Sequence, residues 1–365
     1  MEQTLKHWWD LRNEDLMALA EKAAPLYVYN EETLNEIFFD LSAMEVLTGL
    51  FYPFHLNFNP QILQKAIDLD VHFRCNSLPE VNHLRKHFPK LPPERIFLLS
   101  DREHRRDCEA ALHQGLHVAV RADNDAMNVC LKLFNNRNIF VCMDMGDEIA
   151  PTGLAKKATR GIYICPDSRF LSLCSRDEKL SLFKTLSLQF PNISTLVLGN
   201  EANGGSNVPM SGMDIPEIEN YLEAIHDACP QLELRLELPL HLASYAGALL
   251  VEALEGGTAE GIHYIRTRLP MSNALYGEIH GTVHQVINLS RPHDEKIIMT
   301  RIIPQPEHAG NGILYLKNPC PVERGDMLVL THMGAYGPET RVTGEGRNGL
   351  SEGYLRARSL CRVRL

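Results

Sequence analysis

Eight short apolar runs recur through the first two thirds of the chain, at 50–56, 71–75, 95–99, 117–121, 138–143, 161–165, 194–199 and 232–237. Runs of this length, bounded by turn residues, are strands buried on both faces. Helical patterns fill the gaps at 78–88, 103–114, 123–134, 172–189 and 214–228. Strand and helix alternating eight times predict an α/β chain closed into a (β/α)8 barrel of the TIM type, with its ligand site at the C-terminal ends of the strands. His55, Cys75, Cys165, Gly199 and Glu237 all fall at such ends. One unit is trimmed: only 17 residues (144–160) separate Met143 from Gly161, enough for a loop and a turn or two of helix.

Residues 1–24 read as a helix with an apolar stripe of Trp8, Trp9, Leu11, Leu16 and Leu19, stopped before Pro25. Beyond residue 252 the pattern changes. Gly256-Gly257 break the chain, and strand-like runs follow at 262–268, 283–289, 296–303, 312–316 and 326–332, with turns such as Gly310-Asn311-Gly312 and Gly325-Asp326 between them. The chain therefore divides into 1–252, a helix plus barrel, and 253–365, a C-terminal all-β domain.

A net charge of −10 argues against a general nucleic-acid binder; the basic residues Arg356, Arg358, Arg362 and Arg364 read as one solvated strand face. Nine scattered cysteines, an odd number without a CxxC, imply reduced thiols and a cytoplasmic protein. No apolar run reaches the ~20 residues of a membrane-spanning helix. The sixteen histidines form no metal-ligand spacing, so no metal site is expected.

Several separated segments carry a resemblance to a known family. The stretch from Leu50 to Pro60 resembles the strand Tyr-Ala-x-Lys-Ala-Asn-x-x-Pro of the diaminopimelate/ornithine decarboxylases, the alanine-racemase-like enzymes of fold type III, with Tyr52, Asn57 and Pro60 in register. Ser77 and Glu80 match the turn after the second strand, and Pro93-Glu94-Arg95-Ile96 the start of the third. Leu236 through Leu250 is similar to the family's Glu-Pro-Gly-Arg strand end and following helix. Ala274-Leu275-Tyr276 with His280, Asn288-Leu289-Ser290-Arg291, and Gly325-Asp326-Met327 leading to Gly334-Ala335-Tyr336-Gly337 complete an ordered series.

The resemblance implies pyridoxal phosphate (PLP) as the family cofactor and a head-to-tail dimer, but the chemical positions differ. His55 stands where the family has its Schiff-base lysine, and imidazole has no primary amine. Cys165 replaces the histidine that stacks on the cofactor ring. The phosphate-binding glycine turn has become Gly199-Asn200-Glu201-Ala202-Asn203, where Glu201 places a negative charge beside a phosphate. Leu240, Ser272 and Ile303-Pro304-Gln305-Pro306-Glu307 replace a phosphate-side arginine, a substrate-side arginine and the interface cysteine motif. Glu237, the pyridine-nitrogen partner, and Tyr336, on the phosphate side, are retained.

The expected ligand pocket thus comprises Asn57, Cys75, Cys165, Gly199, Glu201, Glu237, Tyr276 and Tyr336, with His55 as the catalytic candidate. Four of them have an ordinary alternative: His55 as a hydrogen-bonded core histidine, Glu237 as a structural acid, Tyr336 as a plug between domains, Cys165 as a small apolar filler. Because the lost groups all serve one cofactor, no PLP is expected. The leading expectation is a decarboxylase-like binding, regulatory or assembly partner, as a homodimer or a heterodimer with a paralogue. One alternative is a repurposed enzyme acting on a small amino-acid-like or carboxylate ligand through His55, with Glu201 or Glu237 as other acid–base candidates. Another is a PLP decarboxylase with a relocated lysine, Lys156 or Lys157 being nearest in sequence.

Overall fold

The computed structural model describes residues 7–100, 105–121, 138–144, 160–165, 176–190, 192–199, 215–259, 262–267, 285–291, 298–304, 314–318, 322–335, 351–356 and 362–363. Two compact units emerge, one of Ile37–Leu240, the other of Met1–Glu36 with His241–Leu365.

In the first unit, β2 (Leu47–Pro53), β3 (His72–Cys75), β4 (Ile96–Ser100), β5 (His117–Arg121), β6 (Ile139–Asp144), β7 (Gly161–Cys165), β8 (Thr195–Leu198) and β9 (Glu233–Glu237) form a closed barrel. Every pair is parallel, and the ring closes where β2 pairs β9, Leu50 opposite Leu236 and Phe51 opposite Glu237. All eight strands lie within a few residues of the predicted runs. The helices α4 (Pro60–Asp68), α5 (Leu78–His87), α6 (Arg105–His113), α7 (Arg176–Gln189) and α8 (Ile215–Ala228) follow the helical periodicity. The predicted helix at 123–134 and most of the trimmed loop lie outside the described residues.

Local chemistry starts these helices where the sequence says it should. Asn59 caps α4 by accepting from the Gln61 N–H at 2.9 Å, with Pro60 in the first turn, where its missing N–H costs nothing. Ser77 caps α5 by accepting from the Glu80 N–H, while the Glu80 carboxylate takes the Asn76 N–H at 2.7 Å. The Ser77–Glu80 match is thus a side-chain cap in which Glu80 reaches back past Ser77 to the residue before it.

The barrel interior is a stack of rings. Phe97 meets Phe51 and Phe140 edge-on, at centroid distances of 5.3 and 4.9 Å, and stacks on Tyr163 at 5.6 Å; Ala119, Cys142 and Val197 complete the cluster. Each buried aromatic contributes on the order of 1.5–3 kcal/mol, so this layer fixes which residues point inward. By strand alternation the same phase carries His72, Arg74, His117, Arg121, Arg235 and Glu237 inward, above and below the rings.

The second unit is built on a nine-stranded sheet. β1 (Leu26–Asn30) pairs antiparallel with β10 (Gly247–Ala259) and parallel with β16 (Ser351–Leu355), which pairs β17 (Arg362–Val363). Outward from β10 run β11 (Ile262–Thr267), β13 (Ile298–Pro304) and β14 (Leu314–Asn318); β15 (Met327–Thr331) pairs both β10 and β12 (Val286–Asn288). The helix α2 (Asn13–Ala23) packs Leu16, Leu19 and Ala20 against Val28, Leu250 and Val329 of this sheet.

Four expectations need correction. The N-terminal helix is two, α1 (Trp8–Leu11) and α2, interrupted at Arg12. The helix expected after Glu237 is only α9 (Leu240–Tyr245), and Gly247 begins a 13-residue strand. Gly256-Gly257 do not break the chain but lie within that strand. A Cβ on Gly256 would fall 1.9 Å from the Val322 carbonyl, so glycine there serves close backbone approach. Finally, the division of the chain falls near residue 240 and not 252, and the N-terminal segment joins the β unit, because β1 pairs with β10 and β16.

Candidate functional site

At the C-terminal end of the barrel the chain leaves β2 through a single 3-10 turn, Phe54–Leu56, placing His55 half-buried at the rim. The turn is fixed from below: the Tyr52 hydroxyl donates to the Asn57 carbonyl at 2.9 Å, and the Asn57 side chain accepts from the Asn59 N–H at 3.0 Å. Burial pushes the Tyr52 hydroxyl pKa far up, so it stays a neutral donor. Asn57, expected as a pocket residue, thus gives its carbonyl and its side-chain oxygen to this turn.

Beside His55 lies the dominant feature of the barrel end. Arg74, on β3, is 1% exposed, and Glu237, on β9, is 0% exposed. The Arg74 Nε donates to Glu237 Oε1 at 2.8 Å and Nη2 to the same oxygen at 2.5 Å. The other carboxylate oxygen accepts from the Tyr163 hydroxyl of β7. The remaining Arg74 nitrogen, Nη1, donates to the Asn76 side-chain oxygen and faces His55 Nδ1 at 3.3 Å, with Asn76 Nδ2 at 3.4 Å from the same ring nitrogen. Guanidinium and amide N–H groups only donate, so His55 Nδ1 is the acceptor and the ring proton is assigned to Nε2.

This array spans three strands and ties the barrel end together. A buried guanidinium–carboxylate pair is costly to desolvate and strongly destabilising to break, which is why each of its groups is so fully hydrogen-bonded. The Tyr163 ring covers the end of β8: a Cβ on Gly199 would lie 2.5 Å from the tyrosine hydroxyl. Glycine at 199 therefore admits the ring that holds Glu237.

The predicted residues are placed as follows. His55 and Glu237 are brought into one hydrogen-bonded group through Arg74, and Gly199 lies against Tyr163 of the same group. Cys75 is fully enclosed, and burial, reinforced by Glu80, pushes its thiol pKa well up, so it is a neutral filler. Cys165 ends β7 in register with Asp144. Glu201, Tyr276 and Tyr336 lie outside the described residues. Gly334, which opens the turn leading to Tyr336, has a structural reason: its N–H donates to the Ser244 carbonyl at 3.0 Å, and a Cβ there would meet the Ala243 carbonyl at 2.3 Å.

Arg74 and Tyr163 were missed in the sequence. Their signal was a charged residue within a four-residue buried strand and a hydroxyl inside an apolar one, each of which demands a partner. Sequence could not name that partner, since Arg74 and Glu237 lie 163 residues apart. Among the described residues no group of three or more His, Cys, Asp or Glu is arranged to hold a metal ion, and no helix is long and apolar enough to cross a membrane.

No protein-family model matches the chain, and neither does any curated protein sequence. Solved structures do. A diaminopimelate decarboxylase from Helicobacter pylori, complexed with L-lysine, superposes with a TM-score of 0.71 at 15% identity, covering 96% of this chain and 95% of that one. A lysine decarboxylase from Selenomonas ruminantium gives 0.70 at 17%, covering 88% and 90%. The Paramecium bursaria Chlorella virus arginine decarboxylase bound to agmatine gives 0.73 at 14%, covering 94% and 100%. The chain thus has the fold of the fold type III decarboxylases, a parallel eight-stranded barrel with a mixed β-sheet unit.

Proposed function

We propose that this chain is a decarboxylase-scaffold protein that works by binding a small polar ligand or a protein partner, without PLP Schiff-base chemistry. The observation that carries this reading is the Arg74–Glu237–Tyr163 array. Glu237 occupies the position of the acid that pairs with the pyridine nitrogen in the family, and here both of its oxygens accept from protein donors in a buried setting. A pyridine nitrogen would have to share a buried carboxylate whose oxygens already accept three hydrogen bonds from Arg74 and Tyr163. No barrel strand contains a lysine, and His55 holds the position where the resemblance would put one. These groups support a barrel end that works without PLP.

What the rim offers instead is hydrogen bonding. Asn76 is exposed and His55 half-exposed, its ring held by Arg74 and Asn76 with a proton on Nε2. Such a surface suits an amino-acid-like or carboxylate ligand, which accepts hydrogen bonds. Assembly through a second copy or a paralogue belongs to the same reading, and light scattering giving a strict monomer would remove that part of it.

The test is direct. Protein incubated with PLP, reduced with borohydride and mapped by mass spectrometry is expected to yield no stoichiometric pyridoxyl-lysine, and the unreduced sample no carbon dioxide release from lysine, arginine or diaminopimelate. A single fully modified lysine, Lys156 or Lys157 included, would overturn the proposal in favour of a relocated Schiff base. A second reading has one observation in its favour: an imidazole anchored at Nδ1 by two donors is oriented as an acid–base group must be. It requires turnover of a small ligand that is lost in His55→Gln while folding is retained.

A further inference from the structure

At the opposite, N-terminal end of the barrel the inward phase brings together an unusual set of groups. His72 opens β3, His117 opens β5 and Arg235 lies on β9, beside Gly49 of β2, where an added Cβ would touch its side chain at 3.6 Å. The two imidazoles pack beneath the aromatic layer, His72 against Phe51 at 5.3 Å and His117 against Phe140 at 5.7 Å. His117 is only 6% exposed, and its Nδ1 has no hydrogen-bond partner. The same holds of His72 Nδ1 and of two Arg235 nitrogens, Nε and Nη1. Four buried nitrogens from three strands thus lack a protein hydrogen-bond partner in one layer, and each imidazole Nδ1 is a donor in the tautomer that carries its proton there.

The charge of this layer is lopsided. Arg235 and Arg160 both act on His117, and Arg235 acts on His72. The acids are peripheral: Glu233, 3.5 Å from Arg235 Nη2, is 48% exposed, Asp70, paired with Arg95, is 88% exposed, and Glu94, which also acts on His72, is exposed. Water could meet individual N–H groups, but it does not offset buried positive charge. A small oxyanion does both, accepting several hydrogen bonds from donors that surround it.

We propose that the N-terminal mouth of the barrel binds a phosphoryl-type oxyanion through Arg235, His72 and His117. The donors come from strands at different points around the ring, which suits a tetrahedral acceptor better than a planar carboxylate. The site is separate from the Arg74–Glu237 end of the barrel, and its fate does not depend on the function proposed there.

Calorimetric titration of the full chain with inorganic phosphate, at constant ionic strength set with chloride, is expected to give saturable one-to-one binding. The ring-proton NMR resonances of His72 and His117 should move with the same saturation, and Arg235→Gln should weaken binding at least tenfold. A parallel titration with glycerol phosphate identifies the source: binding of both ligands assigns the site to a phosphorylated metabolite, binding of phosphate alone to the free ion. Absence of saturable binding would overturn the proposal. So would saturation that leaves both histidine resonances unmoved, which would place the anion elsewhere. Should Arg235→Gln fail to fold, the histidine resonances of the unmodified protein still decide the matter.

Discussion

Mild acid should destabilise the barrel unit, and the structure gives both the sign and the size. Burial, then Arg235 and Arg95, lowers the His72 pKa to about 4; burial, then Arg160, Arg235 and His72, does the same for His117. In the unfolded chain both return to about 6.5. Between these values the unfolded state binds protons that the folded state refuses, so stability falls as pH falls through this window. A difference of about 2.5 between folded and unfolded values corresponds to roughly 3.4 kcal/mol per ring once pH is well below the folded value, and to about 2 kcal/mol per ring at pH 5. Two rings acting together approach about 4 kcal/mol at pH 5, a large share of the ~5–15 kcal/mol that holds an ordinary domain. Both tryptophans, Trp8 and Trp9, belong to the other unit, so tryptophan fluorescence does not report on the barrel. Hydrogen exchange of barrel-strand peptides, or urea unfolding followed by far-UV circular dichroism, at pH 7 and pH 5 does. The reasoning fails if the double variant His72→Gln/His117→Gln loses as much stability between these pH values as the unmodified chain.

Three further outcomes follow from particular contacts. Arg74→Leu leaves Glu237 buried without its cation and should cost about 3–5 kcal/mol, whereas Arg74→Leu/Glu237→Leu should cost clearly less; urea denaturation giving the reverse order would show that the ion pair does not hold the barrel end. His55→Lys puts an amine where the resemblance places one but supplies no groups to orient a cofactor, so no decarboxylase activity is expected in carbon dioxide release assays; vigorous turnover of lysine, ornithine or diaminopimelate would refute this. Gly334→Ala forces a methyl against the Ala243 carbonyl and should destabilise the β unit by about 1–3 kcal/mol, seen as an earlier tryptophan fluorescence transition from Trp8 and Trp9.

The resemblance motifs acquire physical content once folded. Asn288 and Asp326, from two separate matched segments, meet in a 2.8 Å hydrogen bond, and Arg291 adds a 2.9 Å ion pair to the same carboxylate oxygen. Burial of Asp326 raises its pKa, but the Glu323 N–H, Asn288 and Arg291 outweigh this and hold it below the usual carboxylate range. These residues therefore secure strand ends in the β unit. Their resemblance to the family is a resemblance of scaffold.

Local rules in the sequence determined most of the architecture. Eight apolar runs of strand length, with helices between them, specify parallel strands with crossovers, and Asn59-Pro60 and Ser77-x-x-Glu80 mark where two helices start. Those signals are periodic or lie within a few residues of one another, so they survive in one dimension. Ring closure decided what they could not. Only the pairing of β2 with β9 sets Glu237 against Arg74 across 163 residues of chain, and only the inward phase fixed by Phe97 and its neighbours places His72, His117 and Arg235 in one buried layer. Gly256-Gly257 read as a break for the same reason: the carbonyl that requires glycine there belongs to Val322, more than sixty residues further along the chain.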